Sequence, residues 1–205
     1  MVFLTVSINE DGFTSKESDV SRPGGSLFSH NENDMSSHIK GSRNAKIWAI
    51  GGGKGGVGKS LVTANVSICL ALMGYRVVAV DLDLGGANLH TCLGVPIPDK
   101  TLSDYLTKKV SSLNDLITPT AIDNLAIISG AQDDVGIANL RQMHKAKILA
   151  RLGELDADYV ILDLGAGTSY NTLDFFISAD QGILTALPEP TSIENTYRFI
   201  KSVYH

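Results

Sequence analysis

The chain has 205 residues, of which 43% are hydrophobic and 19% are charged, so it can bury one substantial core but not two large domains. Its net charge of -5 works against general attraction to nucleic acid or anionic lipid, and direct nucleic-acid binding is not predicted. The first residues lack a basic segment followed by a full apolar segment, and no run approaches the roughly 18 apolar residues of a membrane span. We therefore expect a cytoplasmic protein.

The amino-terminal part differs in composition from the rest. From Asn9 to Arg43 the sequence is rich in Ser, Asn, Asp, Glu and Gly, and it shows no sustained period of 2 or 3.6. Such a segment cannot bury enough apolar surface to offset the entropy of ordering it. We predict a disordered extension over residues 1–45, followed by one domain over residues 46–205.

A glycine-rich segment, GGGKGGVGKS at Gly51–Ser60, lies between an apolar run and a helical pattern. Ile47–Ile50 has the short, fully apolar character of a buried parallel strand. Lys59–Leu72 repeats apolar residues at intervals of three and four, which predicts a helix. The glycines therefore occupy a strand-to-helix turn.

This turn contains a complete P-loop motif, Gly53-x-x-x-x-Gly58-Lys59-Ser60. Glycines let consecutive backbone N–H groups converge on phosphate oxygens, and the helix amino terminus adds partial positive charge. Lys59 is expected to reach the β- and γ-phosphates, and the Ser60 hydroxyl is expected to bind magnesium. A glycine-rich turn without a ligand is the alternative. The residues predicted to contact the nucleotide here are Gly53, Lys54, Gly55, Gly56, Val57, Gly58, Lys59, Ser60 and Leu61.

Two further strands end in carboxylates. Arg76–Val80 leads to Asp81 and Asp83, and Tyr159–Leu162 leads to Asp163. Because the carboxyl ends of parallel strands share one edge of a sheet, these groups are predicted to lie beside the P-loop. An apolar strand running into a carboxylate is a Walker B element, so Asp163 is predicted to hold magnesium mainly through its water shell. Capping of the following turns is the alternative role.

The remaining elements complete an α/β pattern. Leu125–Ile128 and Gly182–Leu187 read as strands, Thr101–Leu106 and residues 140–155 as helices, and a last helix is predicted to be capped by Thr191 or Ser192. This predicts a doubly wound, mainly parallel sheet of the P-loop NTPase class. A sheet that ended at this fifth strand would leave its edge uncovered.

Lys54 makes the motif more specific. The run KGGVGKS, Lys54 to Ser60, resembles the deviant Walker A motif of the MinD/ParA family of ATPases, in which the extra lysine contacts the partner's phosphates in a nucleotide sandwich dimer. The run Asp81–Gly94 resembles the first switch of that family. The resemblance implies that Asp83 orients the attacking water, Asp81 supports the magnesium shell and Asn88 monitors the state of the site.

The segment Gly165-Ala166-Gly167 resembles the second switch, where the backbone N–H of Gly167 would meet the γ-phosphate. The family implies ATP or ADP and Mg²⁺ as ligands, Lys54, Lys59 and Asp83 as catalytic residues, and Ser60, Asp81 and Asp163 as the metal site. It also implies slow ATP hydrolysis that depends on an ATP-bound homodimer.

The segments NLAIISGAQ, DLGAGTSYNTLDFFISAD and LPEPTSIENTYRFIK resemble the FlhG/FleN branch, whose members set flagellar number and placement. That branch implies a regulatory protein partner, such as a flagellar GTPase or a transcription regulator. Its members continue with further strands and a terminal amphipathic helix, so the resemblance implies that the domain is incomplete here. We expect membrane contact, at the inner face, only through a carboxyl-terminal helix that this sequence does not include. The alternatives are a DNA-partition ATPase of the ParA type, a nucleotide-binding scaffold with little hydrolysis, and a small-molecule ligase or kinase.

Overall fold

A computed structural model describes residues 2–7, 14–15, 45–83, 86–130 and 142–204. The elements in chain order are β1 (Val2–Ser7), β2 (Thr14–Ser15), β3 (Lys46–Gly51), α1 (Lys59–Leu72), β4 (Val77–Leu82), α2 (Leu89–Cys92), α3 (Leu102–Leu106), a 3₁₀ turn (Leu113–Leu116), β5 (Thr118–Pro119), β6 (Leu125–Ile128), α4 (Gln142–Gly153), β7 (Tyr159–Leu164), α5 (Tyr170–Ile177), β8 (Gln181–Ala186) and α6 (Pro190–Val203).

The five strands predicted from the sequence form the parallel centre of one sheet. The order across the described sheet is β2-β1-β8-β3-β7-β4-β6-β5, and the pairs from β8 to β6 are all parallel. The residues of β4 are all buried, because a central parallel strand is covered by helices on both faces. Strand β7 lies between β3 and β4, so the Walker B strand borders the P-loop strand directly.

Two apolar layers confirm the doubly wound arrangement. One layer packs α1 and α2 on the sheet through residues such as Val62, Leu70 and Leu89. The other packs α4, α5 and α6 on the opposite face through residues such as Ile148 and Phe199. Both layers leave the carboxyl ends of the parallel strands open to the loops that carry the predicted site residues.

The amino-terminal prediction differs from the structure at two places. Within the range 1–45, Val2–Ser7 forms a strand that pairs antiparallel with β8 from Val2 opposite Ala186 to Ser7 opposite Gln181, and Thr14–Ser15 adds a short strand outside it. The edge of β8 that we expected to be uncovered is therefore paired. Residues 8–13 and 16–44 of the predicted extension lie outside the described residues.

Several helix boundaries also differ. Helix α6 begins at Pro190, a residue suited to the first helical position, and its N-cap is Glu189 rather than Thr191 or Ser192. The Ser192 hydroxyl instead accepts the N–H of Leu187 at 2.9 Å. Helix α5 was not predicted, although Ser169 caps it by accepting the N–H of Thr172 at 3.2 Å.

Within the described parts of the chain, no helix combines the length and the apolar content that crossing a membrane requires.

Candidate phosphate-binding site

The P-loop adopts a conformation that glycine makes possible. Gly56 and Gly58 have φ values of 76° and 89°, in the left-handed region that residues with a Cβ atom rarely occupy. A Cβ atom added at Gly55 or Gly56 would meet no heavy atom within 4 Å, so these positions of the turn border open space. Helix α1 begins at Lys59 with Gly58 as its N-cap, and this cap makes no side-chain hydrogen bond to the helix amides. The first amides of α1 can therefore serve an anion.

Gly53 is required by packing rather than by its backbone angles. A Cβ atom at this position would lie 2.4 Å from the backbone carbon and oxygen of Asn195 in α6. At the neighbouring Gly52, a Cβ atom would lie 2.9 Å from Val57 and 3.1 Å from Thr185. The start of the P-loop thus packs closely against α6, β8 and the buried side chain of Val57.

Asp163 lies in contact with the first turn of α1. It belongs to the last residues of β7 rather than following the strand, and its register partner in β3 is Ile50. The side chains of Ser60 and Thr63 hydrogen bond to its carboxylate, with 3.1 Å between Thr63 Oγ1 and Asp163 Oδ1. Burial raises the pKa of Asp163, and these hydroxyls and the charge of Lys59 act in the opposite direction. Thr63 was not predicted as a site residue, although a threonine among the buried apolar positions of α1 could have indicated it.

Asp81 is the second carboxylate at this edge. It is fully buried, and its Cα pairs in register with that of Asp163 on the neighbouring strand. Its two carboxylate oxygens accept the backbone N–H groups of Asp83 and Leu89, each at 3.0 Å. Burial raises the pKa of Asp81 to about 7, and the negative charge of Asp163 adds to that effect. Asp81 therefore anchors both ends of the loop between β4 and α2.

The two segments that resemble switches meet at this loop. A Cβ atom at Gly165 would lie 3.4 Å from Asp83 Oδ1, so the side chain of Asp83 borders the turn after β7. Gly167 has a φ of 86°, and its N–H donates to the carbonyl oxygen of Gly52 at 3.1 Å. Asn88 is exposed at the start of α2, and Leu61 is exposed on α1. Leu84 and Gly85 of the first switch lie outside the described residues.

Lys54 is directed towards α6 of its own chain. Its Nζ lies 2.7 Å from Glu189 Oε1 and 3.3 Å from Thr191 Oγ1. The Lys54 ammonium lowers the pKa of Glu189, and the side chains of both residues are 42% exposed. Contact of Lys54 with a partner's phosphates requires this ion pair to open.

The donor atoms at this edge fit magnesium. Mg²⁺ prefers oxygen ligands and keeps several waters. Ser60 and Asp163 supply a hydroxyl and a carboxylate at the first turn of α1, and Asp81 supplies a second carboxylate on the strand next to Asp163. No group of three or more His, Cys, Asp or Glu residues able to hold a metal is present among the residues described. The protein atoms thus suit a hydrated ion that also binds phosphate, rather than an ion enclosed by protein ligands alone.

The chain is similar to proteins of known families. Residues 45–205 match the family model described as an AAA domain. The chain is 34% identical over 160 residues to the antiactivator FleN of Pseudomonas aeruginosa, and the alignment covers 76% of this chain and 55% of FleN. It is 33% identical over 159 residues to the septum site-determining protein MinD of Helicobacter pylori, and this alignment covers 76% of this chain and 58% of MinD. The chain therefore spans about half the length of these curated relatives.

Solved structures show the same fold. The septum site-determining protein MinD of Pyrococcus horikoshii, complexed with Mg-ADP, aligns with a TM-score of 0.69 at 32% identity and covers 78% of this chain and 65% of that one. MinD in the MinC:MinD complex of Aquifex aeolicus aligns with a TM-score of 0.67 at 24% identity, covering 78% and 64% of the two chains, and this second likeness supports the fold alone.

Proposed function

Because the chain belongs to the MinD/ParA type of P-loop ATPases, we propose that it binds ATP with magnesium, hydrolyses it slowly and forms a homodimer while ATP is bound. The observation that carries the proposal is the register of three neighbouring strands. It aligns Asp81 with Asp163 and sets Asp163 beside Ile50, immediately before the P-loop. A buried lysine, a glycine turn and two carboxylates then share one edge of the sheet, and these are the kinds of groups that bind a nucleotide's phosphates and their metal ion.

Each group has a defined task in this proposal. The P-loop amides and Lys59, which is only 7% exposed, bind the β- and γ-phosphates. Ser60 and Asp163 hold the magnesium ion with its waters, and Asp81 fixes the adjoining loop. When bound, the ion neutralises charge on the transferred phosphoryl group. Asp83 orients the attacking water, and Gly167 exchanges its bond to Gly52 for one to the γ-phosphate.

The proposed dimer depends on Lys54. A monomer whose Lys54 is paired with Glu189 lacks a cation at the position that a partner's lysine would fill, so turnover by a monomer should be poor. A cation supplied from a partner can contribute on the order of 10³ to 10⁵ in rate. Dimerisation therefore controls hydrolysis, and hydrolysis ends the dimer.

The biological role proposed is control of flagellar number and placement, together with a regulatory protein partner. This proposal is supported by FleN, named an antiactivator, and by the flagellum site-determining protein YlxH of Helicobacter pylori, which is 34% identical over 163 residues and covers 77% of this chain and 53% of YlxH. We expect action in the cytoplasm. Counting flagella in a strain that carries Lys54→Ala in this gene tests the role, and an unchanged number would contradict it.

The nucleotide proposal is tested by calorimetry and phosphate release on the whole chain. We expect ADP and ATP to bind in magnesium and to bind more weakly in excess EDTA. Phosphate release per protein molecule should rise with protein concentration, since dimers are the active form. The absence of magnesium-dependent nucleotide binding would overturn the proposal.

Lys54→Ala separates binding from turnover. We expect at least a roughly 10³-fold loss of phosphate release with ADP affinity retained, because the lysine acts on a partner's phosphates. Lys201→Ala, near the other end of α6, is the matched control and should behave as the unmodified protein. Joint loss of ADP binding and folding in Lys54→Ala would assign Lys54 a structural role instead.

A further inference from the structure

Thr63 is a buried polar residue with no part in the mechanism so far. It lies in α1 one turn after Lys59, and none of its surface is exposed. Its hydroxyl oxygen is 3.0 Å from the carbonyl oxygen of Lys59 and 3.1 Å from Asp163 Oδ1. The second contact crosses from α1 to β7.

The two contacts of the Thr63 hydroxyl have different physical reasons. A threonine that hydrogen bonds to the carbonyl four residues earlier is a common local feature of helices and needs no functional reason. Asp163 is a different acceptor, because a carboxylate buried in protein has lost the water that would stabilise its charge. A hydroxyl placed 3.1 Å from one carboxylate oxygen replaces part of that water and limits rotation of the group.

Ser60 differs from Thr63 because it has a second proposed task. Its hydroxyl also hydrogen bonds to Asp163, but its oxygen is the proposed ligand of the metal. Thr63 is one turn further into the helix and fully buried, so its hydroxyl can stay on Asp163 whether or not a metal is bound. A hydroxyl that supports a metal-binding carboxylate without touching the metal typically changes metal affinity by about 10- to 100-fold when it is removed.

Resting on the proposed function, we propose that Thr63 is a positioning residue for magnesium, which holds the Asp163 carboxylate in the orientation that binds the hydrated ion beside the nucleotide. In this proposal, the effect of Thr63 on magnesium is exerted through Asp163, and its contact with the Lys59 carbonyl is the local feature of the helix. Removal of the Thr63 hydroxyl should therefore reduce the gain in nucleotide affinity that magnesium provides. Nucleotide affinity measured without magnesium should stay unchanged.

The experiment measures ADP affinity by calorimetry, in magnesium and in excess EDTA, for the whole chain and three variants. Thr63→Val keeps the shape and removes the hydroxyl, so the magnesium-dependent gain in affinity should fall about 10- to 100-fold. Thr63→Ser keeps the hydroxyl and should restore most of that gain. Thr107→Val is the control, because Thr107, the C-cap of α3, makes the same contact to the carbonyl four residues earlier, that of Ser103, at 2.8 Å.

The outcomes separate this inference from the proposed function. If the unmodified chain shows no magnesium-dependent ADP binding, the proposed function fails. If it does, and Thr63→Val shows the same magnesium-dependent gain, the inference about Thr63 is overturned. An equal loss in magnesium and in EDTA would also overturn it, since that pattern indicates general damage to the site. Should Thr63→Val not fold, Thr63→Ala compared with Thr63→Ser carries the same test.

Discussion

At the scale of single residues, the structure gives the predicted site residues partners that their motif positions do not indicate. Lys54 pairs with Glu189 of its own chain, and Asp81 accepts two backbone N–H groups. Each of these two arrangements has a measurable consequence.

The ion pair between Lys54 and Glu189 should oppose dimerisation more than it stabilises the fold. Exposed ion pairs contribute little to stability, so Glu189→Gln should leave the free energy of unfolding close to that of the unmodified chain. The same substitution releases Lys54, so phosphate release should reach half of its maximum at a lower protein concentration. Glu194→Gln, which removes the exposed pair with Arg198 on the same helix, is the control. If the protein concentration at half-maximal phosphate release stays unchanged or rises in Glu189→Gln, this prediction is wrong.

Asp81 should make stability depend on pH. Its folded pKa of about 7 is above its ordinary value of 3.8, so the folded chain binds more protons than the unfolded chain between these values. This group's contribution is therefore fully present below about pH 4 and is lost as pH rises through about 7. Asp81→Asn removes the titration, and its unfolding midpoint, measured in EDTA, should fall less with pH across this window. If the unfolding midpoints of the unmodified chain and of Asp81→Asn change equally with pH, the assignment of this pH dependence to Asp81 is wrong.

At the scale of elements, α6 and the P-loop form one packed unit. Gly53 contacts the backbone of Asn195, and Glu189 and Thr191 contact Lys54. The second switch joins the same unit through the bond from Gly167 to Gly52. A change in the P-loop on nucleotide binding should therefore be transmitted to α6 through backbone contacts.

Two alanine substitutions in the P-loop should have different effects on stability. Gly53→Ala places a methyl group within 2.4 Å of the Asn195 backbone and must displace α6, which should cost about 1 to 3 kcal/mol in unfolding free energy. Gly55→Ala meets no atom within 4 Å and has no positive φ, so it should leave stability within about 0.5 kcal/mol. Urea unfolding of both variants provides the measurement. Equal stabilities would show that α6 does not pack tightly on Gly53.

At the scale of the whole molecule, β1 completes the sheet on the side of β8. The pairing runs over six residues, from Val2 to Ser7, and covers the outer edge of β8. Because an unpaired parallel-sheet edge presents a row of free backbone donors and acceptors, β1 prevents that edge from pairing with another chain.

Deletion of residues 1–7 should therefore promote association. Light scattering after size-exclusion chromatography, without nucleotide, should show a larger share of dimers or higher species than in the intact chain at the same concentration. A separate peptide of sequence VFLTVS, added in excess, should reduce that share. If the deleted chain remains as monomeric as the intact one, β1 does not protect the β8 edge.

Much of the fold was predictable from local patterns. The five parallel strands and α1 were located correctly, since buried strands are short apolar runs and a surface helix repeats its apolar residues at threes and fours. Gly74 follows α1 with a φ of 90°, the left-handed conformation that favours glycine at the end of a helix. Helix α5 was missed because its sequence follows a glycine turn and contains β-branched and aromatic residues with weaker helix propensity.

The sequence by itself determined the P-loop, the strand types and which strands end in carboxylates, because each of these depends on neighbours within a few residues. Only the tertiary structure decided the strand order, the contact of Thr63 with Asp163 and the pairing of Lys54 with Glu189. These last two contacts join residues 100 and 135 positions apart. Such contacts depend on the register of paired strands and on how α6 packs back on the P-loop, and no local pattern encodes either of these.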